Sequence, residues 1–119
     1  MNSANGILMT HEGVKGVRVE GHKSIHEMVG DWFDCVSRGN LVGYVHDTGL
    51  LNGLPINPVA TAIFGQIIAG PCVIVRAIDH NDQYDGYDHS LSEADYTYIA
   101  TVQSAYAMWL ESVADKNGV

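Results

Sequence analysis

Residues 50–64 read LLNGLPINPVATAIF, and the centre of this stretch fixes a local geometry from which the rest of the chain can be read. Asn57 followed by Pro58 is a helix start. An asparagine side chain accepts a hydrogen bond from a free first-turn N–H, and a proline at the first helical position gives up a donor that had no partner. Gly49 and the Asn52-Gly53 pair ahead of it are turn chemistry. A bend therefore delivers the chain into a short helix running to Ile63 or Phe64, which Gly65 ends.

Downstream, Gly70-Pro71 makes another turn, and Cys72, Val73, Ile74, Val75 and Ala77 form a near-continuous apolar run. Such a run predicts a strand inside a sheet, covered on both faces. Upstream, Leu41, Val42, Tyr44 and Val45 predict a second strand, turned by Asp47-Thr48-Gly49 into a short return arm at Leu50-Leu51. Val14, Val17 and Val19 predict a first strand ended by Gly21, with Gly16 as an irregularity.

Between those two strands, Ser24 and Glu27 have the spacing of a reciprocal capping pair. Ile25, Met28, Val29, Trp32, Phe33 and Val36 follow at helical spacing, so a helix is predicted from Ser24 until Gly39-Asn40. Residues 1–12 carry little pattern and are expected to be partly mobile. Ser90 and Glu93 repeat the capping spacing and open a last helix over 91–115. The expected fold is α+β in one domain: a small mixed sheet of three or four strands, two short helices and a longer C-terminal helix.

The chain has 119 residues and 46% apolar composition, with a formal charge of −8. Its mean hydropathy is +0.01. These values fit one soluble domain with a single core. No apolar run approaches the roughly 20 residues of a membrane helix, and the N-terminus lacks a secretion signal. The six Lys and Arg residues are scattered, which argues against nucleic-acid binding. The cytoplasm is the expected location, with Cys35 and Cys72 reduced and core-like.

No group of catalytic residues is recognisable. His22 and His26 have the spacing of a metal pair, but a helix beginning at Ser24 leaves His22 outside it. Cys35 with His26 or His46 can be drawn as a thiol and base, without support from spacing. The 79–89 loop, DHNDQYDGYDH, offers oxygen ligands. Aligning Gly86 to the glycine of a calcium loop, however, puts Ser92 where a glutamate is required. No metal and no cofactor are expected.

Two surfaces read as binding features. The N–H groups of Val59, Ala60 and Thr61 at the Asn57 helix start, with Asn52 beside them, point to an anionic, nucleotide-like ligand. The Asn57 side chain filling that place itself is the competing reading. Tyr84, Asp85, Tyr87 and Asp88 in the acidic loop, with Tyr106 and Trp109 on the last helix, point to a protein partner. No charged residue occurs from Tyr96 to Leu110. That helix is either clasped on two sides or joined to a partner chain, and a homodimer through it is the preferred assembly.

GLPINPVAT at 53–61, followed by IIAGPCVIV at 67–75, resembles a family of small phage and prophage proteins catalogued as a domain of unknown function. The family pattern is Gly-Leu-Pro-x-Asn-x-x-Ala-Thr, then a glycine before a valine-rich strand. Gly53, Leu54, Pro55, Asn57, Ala60, Thr61 and Gly70 match it, within a similarity spanning roughly residues 14–76. The resemblance implies phage origin and life in a bacterial cytoplasm, and no catalytic assignment. Phage genomes carry many small acidic modulators of the host, so the expected function is non-enzymatic binding to a host protein or defence pathway. Sequestration of a small anionic ligand is the alternative, and a small metal or thiol enzyme the third reading.

Overall fold

The computed structural model describes residues 3–30, 32–77, 79–80, 83–84 and 87–116. In chain order come β1 (Ser3–Thr10), β2 (Gly13–Glu20), α1 (Gly21–Val29), β3 (Phe33–Arg38) and β4 (Leu41–His46). Then follow α2 (Pro58–Phe64), β5 (Cys72–Arg76), a two-stranded pair of β6 (Asp79–His80) and β7 (Gln83–Tyr84), and α3 (Glu93–Lys116). The class is α+β, with five strands in the main sheet in the order β2-β1-β5-β4-β3.

Every pairing in that sheet is antiparallel, so the mixed sheet of three or four strands is corrected on both counts. β5 lies at the centre, as its unbroken apolar run predicted. β1 occupies residues expected to be mobile. It pairs along its whole length with β2 and joins β2 to β5. Ala4, Ile7 and Met9 bury there, but asparagine and glycine between them dilute the alternation.

The helix predicted from Ser24 to Gly39 is two elements. α1 starts at Gly21 and stops at Gly30, whose φ of 95° is a left-handed helix terminator. Ser24 is not the cap: its hydroxyl accepts the Glu20 N–H and donates to the Gly21 carbonyl. The chain then re-enters as β3, paired with β4 from Phe33↔His46 to Arg38↔Leu41. Nor do Leu50-Leu51 form a return arm; residues 47–53 are successive turns.

Helices cover both sheet faces. On one, Ile25 and Val29 of α1 pack on Val19, Val42, Tyr44, Val73 and Val75. On the other, Val59, Ala60, Ile63 and Phe64 of α2 and Ile99 of α3 pack on Ile7, Met9, Leu41, Val45, Cys72 and Ile74. Residues 89–91 carry the chain across to that second face. Arg76 and His89 exchange both main-chain hydrogen bonds, and Leu91 N–H bonds the Asn5 carbonyl. α3 is then capped by Ser92, not Ser90: Ser92 Oγ accepts the Asp95 N–H while Asp95 accepts the Ser92 N–H. The Ser90 hydroxyl instead accepts the Asn5 N–H.

Candidate functional site

The Asn57 helix start forms as the sequence predicts. Asn57 precedes Pro58 with extended backbone, and its Oδ1 accepts the Ala60 N–H at 3.3 Å. The same carboxamide is fully buried. Its Nδ2 donates to the Met9 carbonyl at 2.9 Å and the Gly70 carbonyl at 3.1 Å. Asn57 therefore ties the helix start to β1 and to the turn before β5.

Neighbouring bonds extend this tie. Asn57 N–H bonds the Ile68 carbonyl, and Gly70 N–H bonds the Pro55 carbonyl. The Thr61 hydroxyl accepts the Ile68 N–H at 2.9 Å. Gly49 lies so close to the other segment that a Cβ on it would sit 2.3 Å from the Ala69 carbonyl oxygen. Segments 49–57 and 68–70 are thus zipped together, with the glycine, asparagine and threonine of the motif as fasteners.

This arrangement bears directly on the ligand expected at the helix start. Val59 and Ala60 are buried, and Thr61 is engaged with Ile68. Asn52 is exposed, but its amide donates to the Thr48 hydroxyl at 2.9 Å within its own turn. At this helix start the Asn57 side chain, itself buried, takes the Ala60 N–H that an anion would otherwise meet.

Of the acidic loop, Asp85 and the residues of the calcium-loop alignment at 81–82 and 86 lie outside the described residues. Tyr84 falls in β7, and Tyr87 is exposed. Asp88 is not a surface group: it is buried and accepts a hydrogen bond from the Tyr44 hydroxyl.

α3 presents the other predicted surface. Ile99 is buried, and Val102 and Tyr106 pack against the same core. Trp109, Leu110 and Val113 continue that stripe at positions i+3, i+4 and i+7 from Tyr106. The body, however, has ended, and every residue from Ala107 to Ser112 is exposed. Trp109 is 58% exposed, and its ring stacks on Tyr106 with centroids 6.0 Å apart. At about 1.5 Å per residue the 24-residue helix spans roughly 36 Å, and its stretch 107–112 overhangs the packed body.

The groups drawn for catalysis are dispersed. His22 and His26 both lie in α1, contrary to the expected helix start, so they do share a face. Each ring is set edge-on to an aromatic, His22 to Phe33 and His26 to Trp32. Among the described residues no three His, Cys, Asp or Glu side chains gather as metal ligands. Cys72 is buried as expected, but Cys35 is exposed on edge strand β3 and is not a core residue. Partial desolvation, with Asp34 and Asp88 nearby, pushes the Cys35 thiol above its ordinary pKa. Burial pushes Cys72 up to about 12. A nucleophilic cysteine needs the opposite shift.

A family described as a domain of unknown function, DUF3846, matches residues 6–103, most of the chain. The chain belongs to this family. The DUF3846 match runs from Gly6, within β1, to Gln103, within α3, and stops before the exposed stretch 107–112. No curated protein matches the chain. Among solved structures, the small RNA methyltransferase HEN1 is similar, with a TM-score of 0.55 and 16% identity. That likeness covers 82% of this chain but 16% of the methyltransferase chain, and it is a likeness of fold. No helix among the described residues is long and apolar enough to cross a membrane.

Proposed function

We propose that this DUF3846 chain is a phage-encoded, non-enzymatic binding protein that acts on a host protein in the bacterial cytoplasm, modulating that protein or a defence pathway it serves. One observation carries the reading: beyond Tyr106, the last residue of α3 packed on the core, the stripe runs on through Trp109 and Leu110, which are exposed. Large aromatic side chains standing together on a fixed helix are the usual anchors of a protein interface. The phage assignment rests on the GLPINPVAT resemblance.

Three buried or half-buried polar contacts serve the fold. Asn57 closes the motif, Asp95 holds Arg76, and Asp88 holds the Tyr44 hydroxyl. Sequestration of a small anionic ligand at the Asn57 helix start is the alternative reading, against which the Asn57 carboxamide competes by accepting the Ala60 N–H.

The test is affinity capture from host lysate with the wild type and with Trp109→Ser plus Leu110→Ser. The reading expects a host protein held by the wild type and released by the double variant. Identical capture by both would overturn it. Sedimentation of each protein alone provides the second arm. A wild-type dimer that the double variant dissociates would put a second copy on the stripe in place of a host protein.

A further inference from the structure

A second surface, away from α3, is built by the zipped motif. A cleft of about 350 Å³ opens where β3 and the end of β4 meet the 47–51 turn and the 66–69 link. Leu50, Leu51 and Ile67 line it and are 58%, 88% and 64% exposed. Single exposed leucines are ordinary; three aliphatic side chains around one cleft form a patch.

The main chain beneath the patch is tied in place. Gly49 abuts Ala69, Leu54 N–H bonds the Gly49 carbonyl, and Asn52 N–H bonds the Thr48 carbonyl. A surface fixed before binding loses little conformational entropy when it is covered. Its charge is one-sided. Asp34 and Asp47 line the cleft with His46, the last residue of β4, and neither Lys nor Arg lines it. Arg38, farther along β3, directs its guanidinium to the Ile63 carbonyl at 3.3 Å. Asp34 gives one oxygen to the Cys35 N–H. The Asp47 carboxylate and the Gln66 carboxamide have no hydrogen bond or ion pair among the described residues.

The geometry points to a docking site for a basic-aliphatic peptide segment of a protein partner. Its aliphatic side chain lies among Leu50, Leu51 and Ile67, an adjacent Lys or Arg reaches Asp34 or Asp47, and Gln66 is placed to bond the peptide main chain. The cleft is at the small end of binding sites, which suits one or two side chains. The formal charge of −8 further favours a cationic partner during encounter. This site is separate from the α3 stripe and stands or falls independently of it.

Selection of random short peptides displayed on yeast tests the inference, followed by fluorescence anisotropy on the best peptide. The expected enrichment is Lys or Arg beside Leu, Ile or Val. Asp34→Asn with Asp47→Asn should weaken the selected peptide up to about fivefold, since whichever of the two carboxylates meets the peptide cation, that exposed charge pair is removed. Leu51→Ser should weaken it as well, at a position too exposed to disturb folding. Trp109→Ser with Leu110→Ser should leave its affinity unchanged, which separates this site from the α3 reading. No enrichment, enrichment of acidic or uncharged peptides, or full affinity in the double Asn variant would overturn the inference.

Discussion

Arg76 Nη1 lies 2.7 Å from one carboxylate oxygen of Asp95 and 2.9 Å from the other, joining the central strand to the first turn of α3. Both side chains are largely withdrawn from water, so the pair is screened less than a surface ion pair. Burial alone would raise the Asp95 carboxyl. The Ser92 N–H bond and the Arg76 guanidinium outweigh it and hold the group below its ordinary value. A depressed carboxyl stabilises the fold above the unfolded-state pKa, and that contribution disappears as pH falls through the folded value. Asp95→Asn should therefore cost about 2 kcal/mol at neutral pH. Its melting temperature should converge with that of the wild type only as pH falls below the ordinary carboxylate range and through the depressed folded value. Thermal melts from pH 7 downward check this.

Asn57 makes a stronger prediction. Replacing it with Ala leaves the Met9 and Gly70 carbonyls and the Ala60 N–H without their partner, in a site no water reaches from outside. The expected loss is about 3 kcal/mol, from buried polar groups left unpaired and a cap removed. Asn57→Asp should be no milder, because it turns a carboxylate toward two carbonyl oxygens. Urea denaturation of the three proteins gives the measurement.

Gly49 is required by proximity, not by its backbone angle. A Cβ there would meet the Ala69 carbonyl at 2.3 Å, and main chain must move to admit it. Gly49→Ala should destabilise by about 2 kcal/mol, within the range for overpacking. It should also shift amide resonances in both 47–51 and 66–69, which a two-dimensional NMR spectrum reads directly.

The two thiols should be slow. Cys35 is held above the ordinary thiol range by partial desolvation and by Asp34 and Asp88. Cys72 is buried and pushed up to about 12. At pH 7 little thiolate is present at either position. Iodoacetamide should label Cys35 more slowly than free cysteine, and Cys72 only on unfolding. Faster labelling of Cys35 than of free cysteine would favour the thiol-enzyme reading.

Much of the fold was legible because it was written in strong local chemistry. Asn57-Pro58 and Gly65 bracket α2, and the Cys72–Val75 run is the centre of the sheet. Ambiguity begins where two periods coincide. Met28, Val29, Trp32, Phe33 and Val36 fit a helix, yet Gly30 ends α1 and Phe33–Arg38 pairs as an edge strand. Glycine was the signal, and the apolar spacing masked it. β1 was obscured because its small and polar residues gain their place from β2 and β5, partners distant in sequence. At the candidate sites, Tyr106 and Trp109 were recognisable as an uncharged helical surface. Asp88 was not recognisable as buried, since its Tyr44 partner is 44 residues away. The cleft at Leu50 and Ile67 was missed for the same reason: its two sides meet only after the motif has zipped.

Amide hydrogen exchange over residues 104–113, with and without the captured host protein, tests the binding account most directly. The account predicts that these amides, which take in the overhang of α3, exchange at least about tenfold more slowly in the complex. Those of β4 should stay as they are in the free protein. Unchanged exchange over 104–113 in a complex that has demonstrably formed would contradict the assignment of α3 as the contact surface.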